Sequence, residues 1–175
     1  MRTMKESSEV LYSTDNVTSL SESDLGSLQR MALEQPRRRI RICSHKSPKA
    51  LVHEMLIYHH AGTYVHPHKH VGKDESLHLI YGEIDCVLFN DKGQVTEVLT
   101  MSDYASGKTF YYRIPANTYH TQVFRKNTFF HEVTGGPFDR ADTVVARWAP
   151  NEKEKVLVGQ YLTEMEETIK RQSSR

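Results

Sequence analysis

The chain has 175 residues, a formal charge of +1 and 38% hydrophobic residues, with an isoelectric point near 7.8. This is long enough to bury one core, and the near-neutral charge gives no reason to expect a nucleic-acid partner. Two cysteines 43 residues apart, Cys43 and Cys86, without a CxxC, indicate neither a disulfide framework nor a thiolate zinc site.

Residues 1–18 are polar and patternless, and are expected to be poorly ordered; they lack the apolar core of a signal peptide. A helix is expected from Ser19, where Ser19 and Glu22 fit a capping box and Leu25, Leu28, Met31 and Ala32 fall at helical spacing. Pro36 should end it. Residues 37–44 read as a first strand, with Ile40 and Ile42 alternating with arginines as on a half-buried strand. The basic stretch from Arg37 to Arg41 is then a solvated strand face or an anionic-ligand patch.

Further candidate strands are Met55–Tyr58, Leu77–Tyr81, Ile84–Phe89, Val95–Met101, Phe110–Ile114, His120–Phe124 and Phe129–Val133, separated by Gly-, Asn- and Pro-containing turns. Short strands punctuated this often predict a mainly β protein, a sandwich or barrel. After Trp148-Ala149-Pro150 the composition turns to Glu and Lys, and residues 157–171 read as an amphipathic terminal helix. The expected division is a tail of residues 1–18, one domain over 19–150 and a charged helical tail over 151–175. No apolar run approaches the roughly 20 residues of a membrane span, so no membrane partner and a reducing cytoplasm are expected.

The chemistry is concentrated in His68-Lys69-His70, Glu75 and His120. Strand alternation puts His68 and His70 on one face, about 7 Å apart. Val71–Asp74 is a turn that lets the chain double back and aim Glu75 at the same point. Glu75 shares its strand parity with Leu77, Leu79 and Tyr81, which suit an interior, and an inward carboxylate is costly without a cation. His78 has the opposite parity and should face out. His66 also shares the face of His68 and His70, but pairing it with His68 would place Glu75 seven residues away. Pro67 suits a strand entrance better than its interior. His66 is therefore a pocket residue, a substitute ligand or a solvated histidine. Lys73, Tyr81 and Arg113 are further pocket candidates: Lys73 sits in the turn beside the histidines, and Arg113 could hold a carboxylate or phosphate bidentately or pair with an acid outside. Tyr64, Tyr111, Tyr112 and Tyr119 read as packing residues, and His131 as structural.

The segment Gly62-x5-His68-x-His70-x4-Glu75-x6-Gly82 has the spacing of the first cupin motif. Pro115 and His120 fit the second, in which Asn117 replaces the inner glycine; Asn tolerates a left-handed turn best among the non-glycine residues. The chain resembles the cupin superfamily over about residues 50–135. Over about residues 20–150 it looks more closely like the WbuC-type cupin-fold metalloproteins, found with bacterial surface-polysaccharide genes. That match is carried by the Arg-rich strand before His45, Gly62–His70, Lys73-x-Glu75, Val87–Gly93, Arg113–His120, Glu132–Asp139 and Trp148–Pro150. The resemblance implies a single cupin, a double-stranded β-helix or jelly-roll barrel, with an N-terminal helix, a short C-terminal helix and one bound metal. Dimerisation is common among cupins, so a homodimer through the Arg37–Ile42 strand or the N-terminal helix could follow.

Three imidazoles and a carboxylate suit one divalent ion, Fe, Zn, Mn, Ni or Co, without choosing among them. Such a site could act on or bind a small polar metabolite, by resemblance a sugar or sugar nucleotide in surface-polysaccharide metabolism, as an isomerase or epimerase. The same ligands would serve a non-haem iron dioxygenase, or a non-enzymatic sensor in which the metal anchors a ligand. The fold does not decide among these.

Overall fold

A computed structural model describes residues 1–173. The strands are β1 (Thr3–Lys5), β2 (Val10–Ser13), β3 (Arg39–Cys43), β4 (Val52–His59), β5 (His68–His70), β6 (Glu75–Tyr81), β7 (Glu83–Phe89), β8 (Val95–Ser102), β9 (Tyr111–Ile114), β10 (Tyr119–Phe124), β11 (Thr128–Gly135) and β12 (Thr143–Val145). Helix α1 spans Glu22–Leu33 and α2 spans Lys155–Ser173. The strands form two sheets, β1-β2-β3-β4-β11-β6-β9 and β12-β5-β10-β7-β8. Their inner faces enclose a core that includes Met55, Ile57, Leu77, Leu79, Ile84, Cys86, Tyr112, Ile114 and Phe130.

Each helix covers the outer face of one sheet. Leu28 and Ala32 of α1 pack on Ile40, Ile42, Tyr58 and Phe129 of the seven-stranded sheet. Met165 and Ile169 of α2 pack on Val87, Phe89 and Val123 of the five-stranded one. Burying one such large apolar side chain contributes roughly 1.5–3 kcal/mol, so the helical spacing of these residues is what holds the helices down.

Several expectations are corrected. Residues 1–18 hold two short strands: β1 and β2 pair with each other, and β2 runs parallel to β3 with Val10 opposite Arg41. β3 therefore has a neighbour on each side and offers no free edge. Its alternation is as expected but its facing is inverted. Ile40 and Ile42 point out beneath α1, while Arg39 and Arg41 point into the space between the sheets. Helix α1 starts later than expected, with Ser21 as its N-cap and the Asp24 carboxylate accepting from the Ser21 N–H at 2.8 Å. Both Ser19 and Ser21 precede an acid by three residues, and the second pair is the one used. The helix ends at Leu33, ahead of Pro36.

Two glycines have a structural reason. Gly72 takes φ +69° in the turn between β5 and β6. Gly82 has φ +108°, and a Cβ there would lie 2.5 Å from Thr128 Oγ1 and 2.6 Å from the Asn127 carbonyl. Only glycine lets β6 and β7 pass this close to the start of β11.

Candidate metal centre

The site joins the two sheets. His68 and His70 lie on β5, and His120 on β10 stands directly opposite His68 across that strand pair. Glu75 opens β6 in the other sheet, brought round by the Val71–Asp74 turn. Asn117 takes φ +66° in the turn before β10, and its N–H donates to the His70 carbonyl at 2.8 Å. One donor atom from each of His68, His70, Glu75 and His120 lies within 4.8 Å of the others, and such a cluster could hold a metal ion.

Local contacts hold these side chains in place. His68 Nδ1 donates to the His66 carbonyl at 2.9 Å and His120 Nδ1 to the Thr118 carbonyl at 3.0 Å. Both rings thereby carry a proton on Nδ1, which in the neutral ring leaves Nε2 the lone pair that a metal-ligating imidazole uses. His70 Nδ1 is 3.3 Å from the Thr143 hydroxyl, and its Nε2 is 3.1 Å from Glu75 Oε2. Tyr112 donates to Glu75 Oε1 at 2.8 Å, and Gln122 Nε2 donates to the Tyr112 oxygen at 2.9 Å. His120 Nε2 is buried without a hydrogen-bond partner, 3.4 Å from Glu75 Oε2. An orphaned buried nitrogen of this kind is rare unless something else satisfies it, and a metal ion would. The donor set fits the group implied by the cupin motif.

Charge is balanced tightly. Burial alone would raise the Glu75 carboxyl, but His120 and His70 outweigh it and hold the group well below its ordinary value. His120 answers in the opposite direction: burial works against its cationic form, and Glu75 raises it nevertheless. Burial, with His120 and His70 nearby, pushes His68 down to about 3. The cluster is thus one carboxylate against histidines of which His68 stays neutral.

A cavity of about 500 Å³ opens onto His68, His70 and Glu75 of this cluster. The other residues singled out in the sequence are placed as follows. His66 lines the cavity, with its Nε2 donating to the Ala146 carbonyl at 2.9 Å. Lys73 also lines it, paired with Asp142 at 2.6 Å. Tyr81 lies elsewhere, in the apolar cluster beneath α1 against Phe129. The cause is a register shift: Phe130 opposes Leu79 and Phe129 opposes Tyr81, so Ile80 is an extra residue and the parity of β6 breaks there. Arg113 is on the exposed face and pairs with Asp74. His78 faces out, as its parity predicts.

Sequence reasoning missed Tyr112, Gln122 and Glu132. Tyr112 alternates inward with Ile114 on β9, which parity could have indicated. Glu132 lines the cavity beside Leu77 and Met55, with no hydrogen bond or ion pair among the described residues. Burial, reinforced by the Glu75 charge, pushes its carboxyl up to about 8.

The family model described as "Domain of unknown function (DUF6016)" matches residues 20–101, a little under half of the chain. Comparison with curated proteins finds no match. Among solved structures, the salicylate 1,2-dioxygenase of Pseudoaminobacter salicylatoxidans, a variant in complex with gentisate, aligns at 11% identity and a TM-score of 0.53. That alignment covers 73% of this chain and 37% of that one. The capsular polysaccharide assembling protein CapF from Staphylococcus aureus aligns at 15% identity and a TM-score of 0.50, covering 63% and 32%. The chain therefore spans about a third of the length of each. A sugar phosphate isomerase from a cupin superfamily, from Silicibacter pomeroyi, aligns at 20% identity and a TM-score of 0.39, covering 50% and 52%. At these identities the likeness is one of fold, and the two facing sheets with a helix on the outer face of each are the cupin fold.

Proposed function

We propose that this protein holds one divalent metal ion on His68, His70, Glu75 and His120 and acts on a small polar metabolite by isomerase- or epimerase-like proton transfer. The observation that carries the metal is the buried Nε2 of His120, which has no hydrogen-bond partner although it faces a carboxylate. The metal would supply a Lewis acid that polarises a carbonyl or a pair of hydroxyls. The chain supplies the rest. Tyr112 and Gln122 hold Glu75 in place, and the Nδ1 hydrogen bonds of His68 and His120 fix their rings. Glu132 is an unpaired carboxyl in the same cavity with its pKa near neutrality, the property of a group that can give and take a proton at physiological pH. The sugar or sugar-nucleotide character of the metabolite follows the resemblance to the WbuC type.

Metal analysis of protein purified without added metal, alongside His70→Ala, tests the first half. Wild type should carry about one equivalent, and the variant should lose most of it. Stoichiometric metal in His70→Ala would overturn the ligand assignment. Solvent deuterium incorporated into a sugar substrate, and lost in Glu132→Gln, tests the second half; oxygen uptake by the iron-loaded protein would replace the isomerase by an oxygenase.

A further inference from the structure

β3 sends three arginines toward the cavity, counting Arg37 just before the strand, and two of them are spoken for. Arg37 pairs with Glu9 at 2.5 Å and Glu152 at 3.2 Å. Arg39 pairs with Glu9 at 3.1 Å and Glu152 at 3.8 Å. Lys73, the cavity's lysine, is held by Asp142. Arg41 differs. Among the described residues it has no carboxylate within ion-pair distance, and its Nε is buried without a hydrogen-bond partner. Its neighbours across the sheet are Val10 on β2 and Ile57 on β4, both apolar. Glu132 lines the same cavity, near enough for the Arg41 charge to act on it, but no ion pair joins the two. A guanidinium set between apolar neighbours with a buried N–H unanswered is costly, and its planar fork matches a carboxylate or a phosphate.

We propose that Arg41 is an anion subsite of this cavity, taking the carboxylate or phosphate of a charged sugar-sized metabolite whose uncharged oxygens face His68, His70, Glu75 and His120. The sheet register supports the size. Arg41 stands in the row of Ile57, Phe130 and Leu79, and Glu75 in the row of Thr134 and His53. Those rows are four residues apart on β11, about 13 Å along the strand. Extended along the strand, the arginine side chain would narrow that span to the length of a monosaccharide with one charged substituent. This assignment rests on the metal-site reading for the far end of the ligand, but not for the anion itself.

The test is calorimetric titration of the metal-loaded full chain with three probes: glucose 6-phosphate, glucuronate and glucose. At least one charged sugar should bind about tenfold or more tightly than glucose, and Arg41→Gln should remove that preference while metal content stays unchanged. Whichever charged probe binds better distinguishes phosphate from carboxylate as the source. Arg41→Lys keeps the charge without the fork and should still lose several-fold, which decides the matter if Arg41→Gln fails to fold. Equal affinity for charged sugars in wild type and either folded variant would overturn the proposal. So would glucose binding as tightly, or no binding of either charged sugar to wild type. Arg41-dependent anion binding by wild-type protein that takes up no metal would instead remove the metal reading and leave the anion subsite standing.

Discussion

Tyr112→Phe deletes one oxygen from the support of the metal cluster and leaves the ring in place. Two hydrogen bonds go with it, the 2.8 Å bond to Glu75 Oε1 and the 2.9 Å bond from Gln122 Nε2. The first, to a charged acceptor, is worth about 1.5–3 kcal/mol and the second about 0.5–1.5, a total loss of roughly 2–4.5 kcal/mol. In a chain of this length that corresponds to a fall in Tm of order 5–15 °C. Metal affinity should fall about 10–100-fold, because the carboxylate is no longer held toward the histidines. The assay is competition against a chromophoric zinc chelator, with thermal unfolding followed in parallel by circular dichroism. Tyr112→Phe combined with Gln122→Leu separates the two effects. Removing both partners restores much of the stability, since no amide is left unsatisfied, but does not restore affinity. Metal affinity within twofold of wild type in Tyr112→Phe would refute the reasoning.

Two other outcomes follow from the same structure. In metal-free protein the Glu132 carboxyl, pushed up to about 8 from an ordinary 4.5, makes the folded state bind the extra proton, so stability should decline as pH rises through that window. Glu132→Gln should flatten the decline in urea midpoints measured from pH 5 to pH 9, and an unchanged slope would count against the buried acid. Gly82→Ala should cost at least about 2 kcal/mol, since φ is positive and the new methyl meets the Asn127 carbonyl and Thr128; an unaltered denaturation midpoint would contradict that.

The spacing of His68, His70, Glu75 and His120 was legible because strand parity and a glycine turn act locally, and those four residues do come together in space. The barrel strands were legible for the same reason. What sequence could not reveal depends on partners far along the chain. β3 alternates arginine with isoleucine, and alternation says nothing about which face looks inward; α1, packing on Ile40 and Ile42, decides it. Tyr81 was misplaced because one extra residue in β6 breaks the period of two. Glu132 lies on a strand that mixes polar and apolar residues at both parities, so parity could not single it out. β1 is a short exposed segment that pairs only with β2, and β2 reads Val-Leu-Tyr-Ser, apolar but only four residues long, so polar flanks hid it in the sequence.

That last feature matters for how the chain associates. β2 occupies the edge that β3 would otherwise present, a row of unanswered backbone N–H and C=O groups open to any extended segment. Glu9, just before β2, also ties down Arg39 of β3 and Arg37 just ahead of it. A chain trimmed at its polar beginning would lose more than a tail: it would expose an adhesive, arginine-bearing rim, and copies so shortened should recruit one another edge to edge.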